Sequence, residues 1–144
     1  MNNRKATREI KIGNVTIGGN NPIAIQSMLN ASLDDVEANV RQTKELYAAG
    51  CEINRVAMQG PKDIKLIPAI KEAAPMPLVA DIQFNYKLAI EAAYAGADKI
   101  RINPGNIGER DRVKAVVAAC RDCGIPIRIG VNSGSLEKEI LAKH

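Results

Sequence analysis

Aromatic side chains are scarce in this sequence: one Phe, three Tyr and no Trp among 144 residues. Modules that read single-stranded nucleic acid stack bases on exposed aromatics, and so thin a supply argues against that class. Charge argues the same way. The net charge is +4, and part of the excess sits in Arg4, Lys5, Arg8 and Lys11, where a solvated face accounts for it. The dense basic stripe of a nucleic-acid-binding domain is missing. So is any apolar run long enough to span a bilayer, and the N-terminus carries no signal-peptide core. A cytoplasmic protein with no nucleic-acid or membrane partner is expected. The three cysteines, Cys51, Cys120 and Cys123, cannot build a secreted disulfide framework. The single histidine, His144, is terminal and expected to be disordered, so neither a His-rich metal site nor a Ser/His/Asp set is available.

What the chain does hold is aliphatic mass. It is 46% hydrophobic, mostly Ile, Val, Ala and Leu, which suits buried parallel strands covered by helices. Residues 8–17, REIKIGNVTI, alternate around Gly13-Asn14 and predict a small hairpin. After the break at 18–22 a strand–helix pattern repeats. Short apolar strands are expected at about 23–28, 52–58, 77–83, 99–104 and 126–132. The first helix, about 34–48, puts Val36, Val40, Thr43 and Tyr47 on one face, with Ser32, Asp34 and Asp35 as cap and first-turn acids. The second, about 62–74, carries Ile64, Ile67 and Ile70, with Pro68 marking a kink or restart. The third spans about 86–95. The fourth, about 109–122, aligns Val113, Val116, Val117 and Cys120, and a fifth begins near Ser135. Gly50, Gly96 and Gly124 each close a helix just before a strand, as a left-handed C-terminal residue does. Alternation at this spacing means parallel strands with crossovers. A doubly wound sheet and a (β/α) barrel both fit, although the lack of a GxGxxG after the first strand weakens the dinucleotide-binding version.

The strands carry polar residues where a buried sheet should not. Successive side chains alternate faces, so Ile100 and Ile102 oppose Lys99, Arg101 and Asn103. Ile127, Ile129 and Val131 oppose Arg128, Gly130 and Asn132. Leu78, Ala80 and Ile82 oppose Val79, Asp81 and Gln83. Arg55 shares a face with Ile53 and Ala57. If the Ile/Val face packs on helices, the barrel interior holds Arg55, Asp81, Gln83, Arg101, Asn103, Arg128 and Asn132. One Asp cannot neutralise three Arg at comparable depth, and unpaired guanidiniums are costly to bury. A ligand is the simplest missing charge, and the planar guanidinium fork suits phosphate oxygens. Barrel ligands sit at the C-terminal strand ends, where these residues fall. The Gly-rich turns 103–108 and 132–135 add N–H groups at helix starts. The alternative is an internal salt-bridge network. Cys120 and Cys123 match C-x-x-C, but Cys120 lies on the apolar face of a helix and no second pair exists, so neither a metal nor redox chemistry is expected there.

Certain strings are more specific. PIAIQSM (22–28), LVADIQFNYKLA (78–89), KIRINPGNIG (99–108) and IPIRIGVNSGSLEKEIL (125–141) resemble the GcpE family of 4-hydroxy-3-methylbut-2-enyl diphosphate synthases, from about Lys5 to the end. The resemblance implies the N-terminal portion, about five β/α units, of a TIM (β/α)8 barrel preceded by a small hairpin. Residues 1–21 would form the arm and hairpin, and 22–144 an incomplete barrel. It implies an oxidoreductase of non-mevalonate isoprenoid biosynthesis that reductively opens 2-C-methyl-D-erythritol 2,4-cyclodiphosphate to 4-hydroxy-3-methylbut-2-enyl diphosphate. A [4Fe–4S] cluster in a separate domain, flavodoxin or ferredoxin as electron donor, and a homodimer come with it. Arg55, Arg101, Asn103, Arg128 and Asn132 match the family's substrate-binding strand ends, and Gln26 and Asp81 match motif positions near them. Gln83 stands where the family usually has His, and Asn54 where an apolar residue is expected; facing the helices, Asn54 needs a partner. The family's cluster cysteines do not align with Cys120 or Cys123, so this chain by itself is expected to be inactive. The alternatives are another phosphate- or pterin-binding barrel, or a non-catalytic binding fragment.

Overall fold

The computed structural model describes residues 5–136 and 138–143. Arg4 and His144, both named above, lie outside the described residues. The expected hairpin is present as β1 (Ile10–Ile12) and β2 (Val15–Ile17), paired antiparallel with Ile12 opposite Val15. Its two-residue turn puts Gly13 at φ +57°, a conformation that a side chain resists. A Cβ on Gly13 would also meet the ring of Pro77 at 3.2 Å, because the hairpin tip presses on the base of the main sheet.

That sheet has five parallel strands in sequential order: β3 (Gln26–Met28), β4 (Ile53–Met58), β5 (Leu78–Ile82), β6 (Lys99–Ile102) and β7 (Ile127–Ile129). A doubly wound sheet reverses its order at a switch point; this one does not, and the partial barrel is the fold. Helices α1 (Val36–Ala48), α2 (Leu66–Ala73), α3 (Tyr86–Tyr94) and α5 (Arg110–Cys123) alternate with the strands, and short helices α4 (Pro104–Ile107) and α6 (Lys138–Leu141) follow β6 and β7. The main core lies on the helix side. Val56, Met58, Leu78, Ala80, Ile82, Ile100 and Ile102 pack there with Ile67, Ile70, Leu88, Ala92, Val116 and Cys120. A smaller cluster, Ile12 with Ile53 and Val79, lets the hairpin plug the base of the opposite face. No helix among the described residues is long and apolar enough to cross a membrane.

Four expectations change in detail. On α1 the buried positions are Asn39 and Thr43, while Tyr47 is exposed; the helix lies over a polar strand residue, Asn54, rather than an apolar one. The second helix divides into a 3-10 turn (Pro61–Lys65) and α2. Pro68 then falls in the first turn of α2, where its missing N–H has no intrahelical acceptor to lose. The stretch after β6 is a helix rather than an open loop, because Pro104 starts it and the Asn103 side chain caps it by accepting from the Gly105 N–H at 3.1 Å. The outer strands are short, and Ile23, Ile25, Ile129 and Val131 are more than half exposed. Among the described residues each of β3 and β7 has a strand on one side only, and the aliphatic face of β7 is covered at Ile127 but not at Ile129.

Candidate functional site

Parallel register places the polar residues of neighbouring strands level with one another. Ala57 pairs with Asp81, Asp81 with Arg101, and Arg101 with Arg128. One rung below run Met28, Arg55, Val79 and Lys99. All face away from the helices. The alternation inferred from sequence therefore holds: these two rungs bring together Arg55, Asp81, Arg101 and Arg128, with Lys99 among them.

Asp81 is the hub. Its carboxylate is 2% exposed, and each oxygen takes a different guanidinium. Oδ1 accepts from Arg101 Nη1 at 3.1 Å. Oδ2 accepts from Arg55 Nε at 3.1 Å and from Arg55 Nη2. Arg55 and Arg101 keep about a fifth of their side-chain surface, and each leaves guanidinium nitrogens that Asp81 does not use. Asp81 is an acceptor throughout and would repel an anion. In this structure it ties the two arginines together.

The third arginine differs from the expectation of equal depth. Arg128 is exposed, because β7 is a border strand, and among the described residues it makes no ion pair. The opposite surprise is Lys99. It was placed on this face by alternation but not singled out, and it is 7% exposed with no carboxylate partner among the described residues. Burial, then repulsion from Arg128 and Arg55, pushes its pKa below the ordinary lysine value. Four cations thus share these rungs with one carboxylate: Arg55 and Arg101 are paired to it, Arg128 is solvated, and Lys99 is desolvated without a carboxylate partner among the described residues, an excess of positive charge that a bound anion would balance.

Around this centre the other candidates spread out. Gln83 is half-buried beyond the end of β5. Its amide offers a hydrogen bond but cannot carry a proton at neutral pH. Gln26 lies on β3 level with Ile53, below the arginines. It lines an open cavity of about 820 Å³ with Lys99, Arg128 and the hairpin residues Ile12 and Ile17. Asn103 is 1% exposed; its amide donates to Ser135 Oγ at 2.8 Å and its carbonyl caps α4. Asn132 is exposed at the neighbouring turn. The turn amides expected to be free for an anion are largely spent. Gly105 donates to the Asn103 side chain, Asn106 and Ile107 to the Asn103 carbonyl, and Ser135 to the Asn132 carbonyl.

A glycine that sequence reasoning passed over also shapes the site. Gly130 follows Arg128 on the inner face, and a Cβ there would lie 2.6 Å from Arg101 Nε and Nη2. The guanidinium occupies the space that any side chain at 130 would need. A lone glycine on a polar strand face, between Arg128 and Asn132, was the available signal.

The cysteines do not join this centre. Cys120 is buried in the helix-side core, where burial first and Cys123 second push its thiol up to about 11. Cys51 is buried against the Ile53 carbonyl. No group of three His, Cys, Asp or Glu among the described residues is arranged to hold a metal ion. Iron–sulfur ligation needs converging thiolates, and the described cysteines do not fit it.

A family model described as the GcpE TIM-barrel domain matches residues 7–144. Curated relatives carry the name 4-hydroxy-3-methylbut-2-en-1-yl diphosphate synthase (flavodoxin). The protein of Caldanaerobacter subterraneus subsp. tengcongensis is 60% identical over 98% of this chain and 40% of its own length. That of Halalkalibacterium halodurans is 56% identical over the whole chain and 39% of its own length. That of Bacillus subtilis is 55% identical over the whole chain and 38% of its own length. The chain therefore spans about two fifths of the length of the curated relatives it matches.

Proposed function

The chain belongs to the GcpE family, and we propose that it is the part of a 4-hydroxy-3-methylbut-2-enyl diphosphate synthase that grips the cyclic diphosphate substrate. The observation that carries this reading is the charge imbalance of the inner face. Arg55, Lys99, Arg101 and Arg128 share adjoining rungs with Asp81 alone. A diphosphate supplies the opposing charge and matches the guanidinium forks. Arg101 and Arg55, held by Asp81, present a fixed pair of donors; Arg128, on the border strand, is free to swing onto the ligand. Gln83 and Asn132 line the approach at the strand ends and would contact the carbon skeleton or outer oxygens, and Gln26 would meet the ligand from below, on the hairpin side.

In this reading the residues described here bind and orient; they do not carry electrons. The electrons for the reductive opening would be supplied by a [4Fe–4S] cluster served by flavodoxin or ferredoxin, and the relatives' name specifies flavodoxin. Since the described cysteines do not suit a cluster, the metal chemistry belongs elsewhere in the assembled enzyme. The homodimer implied by the family is part of the same proposal, as is inactivity of this chain when tested by itself.

The test is titration of the cyclic diphosphate into the Arg101→Ala holoenzyme by calorimetry. Loss of a charge-assisted contact is worth about 1.5–3 kcal/mol, so binding should weaken by about one to two orders of magnitude. Unchanged affinity would remove Arg101 from the site.

A further inference from the structure

The turns after β6 and β7 are fastened to each other through one hydroxyl. Ser135 Oγ accepts from Asn103 Nδ2 at 2.8 Å and from the Asn132 backbone N–H at 3.1 Å, and lies 3.0 Å from the Asn132 carbonyl, to which it donates. A hydroxyl has one hydrogen and two lone pairs, so all three are used inside the protein and none remains for a ligand. The backbones meet as closely as the side chains. A Cβ on Gly105 would fall 2.0 Å from the Ser135 carbonyl oxygen, which leaves no room for any other residue there. At the strand level the Gly130 N–H donates to the Ile102 carbonyl at 3.0 Å, and Gly130 leaves the space into which Arg101 lies. From Arg101 outward, both turns form one body.

We propose that Ser135 is a positioning residue for substrate binding: its saturated hydroxyl locks the Asn103 and Asn132 turns in the arrangement that presents them, beside Arg101 and Arg128, to the diphosphate. This rests on the reading of the arginine rungs as the diphosphate site. Nothing in the sequence string NSGS singles out its second serine for the role; only the fold brings Asn103 within reach of it. Without the hydroxyl the two turns part, and the ligand must order them on binding, which weakens affinity although no group that touches the ligand has been removed.

Two variants of the holoenzyme test this, with the cyclic diphosphate as titrant and iron content and thermal melting as controls. Ser135→Ala removes the lock. Gly105→Ala removes no polar group but wedges the turns apart. Both should bind about tenfold or more weakly while retaining iron. In the Asn132→Ala background, which keeps every Ser135 hydrogen bond because Asn132 makes them through its backbone, Ser135→Ala should cost less affinity than in the wild type, because a group it positions is gone; a general structural defect would persist in full. Wild-type affinity in either single variant, or an undiminished Ser135→Ala effect in the Asn132→Ala background, overturns the positioning role. Arg101→Ala, run alongside, separates the two readings: if it too binds normally, the diphosphate site itself is wrong.

Discussion

The buried amide of Asn54 donates a hydrogen bond to the hydroxyl of Thr43 at 3.2 Å, tying β4 to α1. Thr43 in turn donates to the Asn39 carbonyl at 2.7 Å, and the Asn39 amide donates to the Ser32 and Asp35 carbonyls at the helix start. The position that looked wrong for a strand facing helices is thus the end of a polar chain that fixes how α1 sits on the sheet. Thr43→Val leaves the Asn54 amide buried without this partner and should cost about 1–3 kcal/mol. Adding Asn54→Val should recover part of the loss, since removing both partners of a buried hydrogen bond is cheaper than removing one. Denaturant unfolding of the two single variants and the pair checks it; strictly additive losses would contradict the coupling.

Lys99 sets a stability profile with pH. Its pKa in the fold lies below the ordinary 10.5, chiefly through burial. Between the folded value and 10.5 the unfolded chain binds more protons than the native one, so stability rises with pH across that window. Below it the penalty of the buried charge is present in full. Lys99→Met removes that penalty. Ligand-free protein carrying Lys99→Met should melt above the wild type at neutral pH, and the gap should narrow as pH climbs toward 10.5. A gap that stays constant would mean that the ammonium is well solvated in the fold.

Cys120 and Cys123 separate by environment. With its thiol pushed up to about 11, Cys120 stays protonated at neutral pH, and the thiol form is neither nucleophile nor metal ligand. Iodoacetamide near pH 8 should label Cys123, which is half-buried, well before Cys120. The holoenzyme carrying Cys120→Ala and Cys123→Ala should keep its iron and its colour. Loss of iron would place a cluster ligand here after all.

The two faces of each strand were legible in the sequence because strand period is strictly two: assigning Ile100 and Ile102 to the helices left Lys99 and Arg101 nowhere else to point. Pairing was not legible. That Asp81 takes Arg55 on one oxygen and Arg101 on the other depends on register between strands far apart in the chain. Depth failed for a related reason. Arg101 and Arg128 read alike locally, yet one lies on an inner strand and the other on the border. On α1 the spacing pointed to Thr43, which is buried, but also to Tyr47, which is not; the burial of Asn39 in its place goes with the polar contact that Asn54 makes across the interface. The α4 turn carried a readable signal, Asn before Pro, which cap and first-position preferences both favour. Ser135 carried none.

The diphosphate site is most directly tested by a crystal structure of the holoenzyme with the cyclic diphosphate bound. Phosphate oxygens should lie within about 3 Å of the guanidinium nitrogens of Arg101 and Arg128, with Asp81 still bridging Arg101 to Arg55. A diphosphate bound away from this inner face, with Arg101 and Arg128 paired instead to protein carboxylates, would contradict it.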